Sequence, residues 1–146
     1  MKNIRKSRKF DLSRILEIEI FNYRINFYPI FKNDKYYFGD LQVLKLVEKY
    51  SKFIDNMYVY DDDIIKGFIK IQENELQKLF VEPVFQRNLI GTKLLNFAIK
   101  ELNIKYLWAL EKNNKAIEFY KKNGFHMTND KKFENGTTEY LVRLEL

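Results

Sequence analysis

Between Leu79 and Leu102 the chain reads LFVEPVFQRNLIGTKLLNFAIKEL, a stretch whose residue types suit the holding of an anion. Leu79, Phe80 and Val81 end a strand, Pro83 opens a polar loop, and a helix begins near Leu89. Apolar residues at Ile90, Leu94, Phe97, Ala98 and Leu102 keep the spacing of one buried helical face. A strand, a glycine-bearing loop and a helix leave several backbone N–H groups unpaired at the positive end of the helix dipole. Those donors make a seat for a phosphate, and Arg87 adds a fixed charge suited to its oxygens. Junctions of this kind also occur in α/β proteins that bind nothing, so the stretch alone does not decide.

Other chemistries are excluded by composition. The chain has no cysteine, hence no thiol nucleophile, disulfide or thiolate metal site. Its one histidine, His126, rules out a histidine-rich metal cluster. Asp61, Asp62 and Asp63 are consecutive and lack the alternate spacing of a calcium loop, so no metal site is expected.

The elements that must position the stretch follow from the rest of the 146 residues, which fit a single domain over residues 1–146. Asn3 to Lys6 reads as a short edge strand. Asp11 is placed to cap a helix from about Leu12 to Phe27, with Leu12, Ile15, Leu16, Glu19, Ile20 and Tyr23 on one face. An aromatic segment, Tyr28 to Asp40, reads as a loop packed on the core or as one wall of a pocket. A second helix, Leu41 to Tyr50, turns Leu41, Leu44 and Val47 inward, with Leu46 as a further candidate for that face. Strands are expected over Phe53–Tyr60, Ile64–Gln72 and Glu75–Val81 with tight turns between them, an antiparallel meander. Beyond the central helix come a strand over Lys105–Leu110, a helix from Asn114 to Asn123 capped by Asn113 and ended by Gly124, a strand from Phe125, the turn Asn135-Gly136, and a last strand, Thr138–Leu144.

The net charge of +6 favours an anionic partner, but the lysines are spread along the chain, so no nucleic acid is expected. No apolar run approaches the roughly 20 residues of a membrane span. The basic N-terminus lacks the pattern of a secretory signal, and a cytoplasmic location without membrane attachment is expected.

Two segments together resemble one family. VEPVFQRNLIGTKLL is similar to the acetyl-CoA-binding motif of the GCN5-related N-acetyltransferases (GNAT), whose loop reads Q/R-x-x-G-x-G/A, with Gln86 at its first position and Gly91 at its last. NNKAIEFYKKNGF resembles the second block of that family, with Asn113, Ala116, Tyr120, Gly124 and Phe125 at matching places. The resemblance covers nearly the whole chain. It implies a mixed α/β fold with a mostly antiparallel twisted sheet of about six or seven strands and about four flanking helices.

It also implies an enzyme that moves an acetyl group from acetyl-CoA to a primary amine by direct attack. The alternative is a non-catalytic CoA-binding or interaction module of the same fold. By the resemblance the pyrophosphate sits on the amides of Arg87, Asn88, Leu89, Ile90, Gly91 and Thr92, Gln86 belongs to the same cofactor-binding loop, and the pantetheine arm pairs with Leu79, Phe80 and Val81. Asn113 and Tyr120 complete the cofactor set, and Tyr120 is the acid that reprotonates the leaving thiolate. Glu75 is taken as the catalytic base, with Glu111 and His126 as weaker candidates. The acceptor is a small-molecule amine or a protein amine. Dimers are common in the family, so a homodimer is an expected assembly. One position departs from the pattern: Leu89 stands where the family has its first glycine. A leucine keeps its N–H but adds a side chain that must turn away, so weaker cofactor binding is expected.

Overall fold

The alternation of residues 64–72 is realised as an inner strand of a seven-stranded sheet in a computed structural model that describes residues 2–146. The chain runs β1 (Ile4–Lys6), α1 (Leu12–Asn26), α2 (Tyr28–Phe31), a π-helical turn (Lys35–Asp40), α3 (Val43–Ser51), β2 (Met57–Asp62), β3 (Ile64–Gln72) and β4 (Glu75–Val81). It continues through α4 (Ile90–Glu101), β5 (Tyr106–Leu110), α5 (Asn114–Lys122), β6 (His126–Phe133) and β7 (Tyr140–Glu145). The strand order is β1-β2-β3-β4-β5-β7-β6, antiparallel throughout except where β4 meets β5.

Both faces of the sheet are covered. Phe68 and Ile69 are neighbours in β3 and fully buried on opposite sides, as the period of two requires. Phe68 packs with Leu12, Ile15 and Ile18 of α1 and with Met57 and Val59. Ile69 packs with Leu94, Leu95 and Ala98 of α4 and with Leu107, Val142 and Leu144. Gly67 lets α4 approach, since a Cβ there would lie 2.9 Å from the Phe80 carbonyl oxygen and 3.1 Å from Leu94. No helix among the described residues is long and apolar enough to cross a membrane.

The structure departs from the expected pattern in several places. Asp11 does not cap α1 with its side chain. Its carboxylate turns back to accept from the Arg5 guanidinium at 2.8 and 3.1 Å and from the Arg8 N–H at 2.8 Å. Beyond the end expected near Phe27 the chain stays helical, and Pro29 sits in the first turn of α2, where a missing N–H costs nothing. The aromatic segment is α2 plus the π-helical turn rather than an open loop. Leu44 faces solvent at 90% exposure, because α3 starts at Val43 and rolls Val43, Leu46, Val47 and Tyr50 onto α1 instead. The strand expected from Phe53 begins only at Met57, after a 3-10 turn over Ile54–Asn56.

Candidate functional site

Parallel pairing between β4 and β5 stops almost as soon as it starts. Only Glu75 with Tyr106 and Leu76 with Leu107 are in register. The β3–β4 ladder shifts at the same place: Lys70 faces Lys78 but Ile71 faces Leu76, so Gln77 is an extra residue in β4. A bulge bends its strand and increases the local twist, which turns Leu79–Val81 away from β5. The gap is a cleft of about 510 Å³ whose lining includes Leu79, Phe80, Trp108, Asn113 and Tyr120.

At the Val81 end of the cleft lies the loop into α4. The Gln86 N–H donates to the Pro83 carbonyl at 3.3 Å, and the Lys93 N–H donates to the Leu89 carbonyl at 2.9 Å. Among the described residues, the six backbone N–H groups from Arg87 to Thr92 have no protein acceptor. Arg87 and Leu89 both have positive φ, 71° and 64°, which curls the loop so that successive amides gather at the helix start. Leu89 therefore adopts the left-handed backbone that glycine favours. Its side chain is 66% exposed, turned out to solvent. Gln86 has a different task from its neighbours. Its side-chain amide donates to the Val81 carbonyl at 3.1 Å and to Asn22 Oδ1 at 3.3 Å. Asn22, buried on α1, donates to the same Val81 carbonyl at 3.0 Å and to that of Ile18 at 2.9 Å. Gln86 thus braces the loop against β4 and α1, while the amides that follow it have no acceptor among the described residues.

Across the cleft, Asn113 caps α5, its side-chain oxygen accepting from the Ala116 N–H at 3.4 Å. Tyr120 lies two turns along that helix with Phe119 and Phe125 against its ring at 5.2 and 5.7 Å between centroids. Burial pushes the Tyr120 phenol well above its usual range, so its proton is held firmly. Its hydroxyl makes no hydrogen bond with any described residue.

The carboxylates are not where the sequence reading puts them. Glu75 begins β4 at the closed, paired end of the strand and does not line the cleft. A strand is too straight for its first residue to reach a site at its far end. Glu111 leaves β5 paired with Lys131, and His126 is exposed at the start of β6. Two other carboxylates belong to the cleft. Glu134, on the β6–β7 hairpin, lines it directly. Glu19 of α1 lies behind it, 1% exposed, accepting from the hydroxyls of Tyr23 and Tyr50 and paired with Lys78. Lys78 also donates to the Tyr50 oxygen at 2.9 Å. Tyr23 and Lys78 line the cleft, so this buried cluster forms its floor. A carboxylate on the apolar face of the first helix was the available signal for Glu19. Nothing in the local sequence marks Glu134.

Residues 41–146 match the profile of the acetyltransferase (GNAT) domain. The chain belongs to the GNAT family. Among curated relatives of this GNAT chain, a probable N-acetyltransferase, san, of Drosophila melanogaster is 30% identical over 132 residues, 81% of this chain and 64% of the relative. An uncharacterized N-acetyltransferase of Methanocaldococcus jannaschii is 39% identical over 70 residues, 44% of this chain and 31% of that one. The chain thus spans less than two thirds of either relative. The GNAT fold is shared with the PaiA N-acetyltransferase of Thermoplasma acidophilum, solved in complex with coenzyme A, at a TM-score of 0.70 and 24% identity over 98% of both chains.

Proposed function

We propose that residues 1–146 act as one acetyltransferase domain that transfers an acetyl group from acetyl-CoA to a primary amine. The observation that carries this reading is the set of six unpaired amides, Arg87 to Thr92, beside a strand edge left open from Gln77 to Val81. The amides and Arg87 fit a pyrophosphate, and the open backbone of Leu79 to Val81 fits the amide groups of a pantetheine arm. Bound there, acetyl-CoA supplies an acetyl thioester.

The chain's own groups act around that thioester. The cleft holds the acceptor amine between β4 and Tyr120, so that a C–N bond forms as the C–S bond breaks. Tyr120 holds its proton toward the leaving sulfur. Its raised pKa keeps the phenol protonated, so its O–H is present to hydrogen-bond the developing thiolate, and the gap to an ordinary thiol near 8.5 means that solvent completes the protonation. Glu75 is not among the residues lining the cleft, so the amine's proton leaves through the cleft's open mouth. That position also favours the second reading, a CoA-binding module without turnover. The acceptor is a small-molecule or protein amine, and a cytoplasmic homodimer is the setting proposed for it. Release of free thiol from acetyl-CoA, measured with a panel of amines and with Tyr120→Phe alongside, tests the proposal. Thiol release that depends on amine supports it, and none with any amine removes the transferase reading.

A further inference from the structure

The end of the cleft lined by the π-helical turn and the β6–β7 hairpin has the opposite chemistry to the chain as a whole. The chain carries +6, yet this end is aromatic and acidic. One wall is the π-helical turn, where Tyr36 and Tyr37 meet edge to face at 5.0 Å, with Phe31 stacked on Tyr37 at 6.5 Å. The facing wall is Glu134. The hairpin's own bonds use only its backbone: the Glu134 N–H donates to the Glu139 carbonyl at 2.8 Å, and its carbonyl accepts from the Thr137 N–H at 3.0 Å and hydroxyl at 2.9 Å. Its half-buried carboxylate forms no ion pair among the described residues.

Lys78, the one cation among the described residues lining the cleft, is engaged elsewhere, as are three lysines of β6 and the loop after β5. Lys78 is paired with Glu19, Lys131 with Glu111 and Lys112 with Glu139, while Lys132 lies over the Trp108 ring at 4.3 Å. The Glu134 charge is felt across the cleft. After burial, it is among the causes that raise the Tyr36 and Tyr37 phenols. An unpaired carboxylate facing ring edges and faces is a receptor for an organic cation.

Resting on the acetyltransferase reading, we propose that the acceptor is a dication, an α,ω-diaminoalkane or its like. One amine lies at the β4 opening to be acetylated. The second positive group sits between Glu134 and the rings of Tyr36 and Tyr37. The distal amine stays charged while the reacting one is neutral, so the far end of the cleft selects the substrate without opposing the chemistry. A carboxylate at the distal position meets Glu134 and is repelled.

The test is equilibrium titration of diaminopentane, pentylamine and aminohexanoate into the protein saturated with CoA, so that binding is read without turnover. Diaminopentane is expected to bind about tenfold more tightly than pentylamine, with aminohexanoate weakest. Glu134→Gln is expected to bring the diamine and monoamine within about twofold of each other. Equal affinities in the wild type, a preference that survives Glu134→Gln, or no binding of either amine would overturn the proposal. Thiol release is read separately. Diamine binding without thiol release removes the transferase reading and leaves the cleft a diamine receptor but not an acceptor site, whereas thiol release without diamine preference keeps the transferase reading and overturns the dication proposal.

Discussion

Leu76 and Leu107 form the last pair that joins β4 to β5, and the bulge at Gln77 follows at once. Everything proposed for the cleft depends on that parting of two parallel strands. The exposed edge of β4 is a row of backbone groups ready for an extended ligand. Amides among residues 77–81 that are not bonded to β3 are therefore expected to exchange quickly in the free protein. They should slow at least tenfold when acetyl-CoA is added, read by hydrogen exchange. Unchanged exchange at saturating cofactor would place the pantetheine arm elsewhere.

Much of this was legible in the chain, because the local signals there agree with one another. The ranges of β3 and β4 follow from alternation and from the turn at Glu73-Asn74. The cap at Asn113 and the stop at Gly124, which has φ +97°, follow from residue type. Leu44 was misjudged because a nine-residue helix can roll by one position without losing an amphipathic face, and Phe53 because a 3-10 turn over Ile54–Asn56 carries no periodicity that separates it from the strand it precedes. Glu75 was misjudged because sequence places a residue on a strand but not at the open or closed end of a cleft. Glu134 and the Tyr36–Tyr37 wall are brought together by tertiary structure alone, nearly a hundred residues apart.

The Glu19 cluster predicts a large stability effect. Replacing Glu19 by Gln or Leu leaves Lys78 beside two buried phenols without its partner. Breaking such a pair costs about 3 kcal/mol. Replacing Glu19 by Leu and Lys78 by Met together should recover much of that loss. Urea unfolding of the two single variants and the double variant measures the coupling. Additive losses would mean that the ion pair is not a unit.

Tyr120→Phe removes a hydroxyl with no protein partner, so stability should change by less than about 1 kcal/mol. Turnover should fall about a hundredfold if the phenol serves the leaving sulfur. Since burial raises the Tyr120 pKa, the wild-type rate should show no alkaline decline attributable to it below pH 10. Thermal unfolding and a pH–rate profile with one good amine check both parts.

Stability itself should fall above pH 10. Burial raises the phenols of Tyr23, Tyr37, Tyr50 and Tyr120, that of Tyr37 to about 12 from the usual 10.0. The unfolded chain loses those protons from about pH 10 while the folded chain keeps them. The unfolded state then binds fewer protons, and unfolding becomes easier as pH rises. The contribution of Tyr37 is complete below pH 10 and is lost between 10.0 and about 12. Urea midpoints at pH 8, 9, 10 and 11 should be level at first and then drop.

Leu89 carries the central claim, because its φ of 64° and its outward side chain leave the amide seat intact at the one position that departs from the family's pattern. The direct measurement is calorimetric titration of acetyl-CoA into the wild type and Leu89→Gly. The account predicts saturable binding by both, tighter for the glycine by no more than about tenfold, since left-handed backbone costs a leucine about 1 kcal/mol. Binding by the glycine variant alone, or by neither, would contradict it.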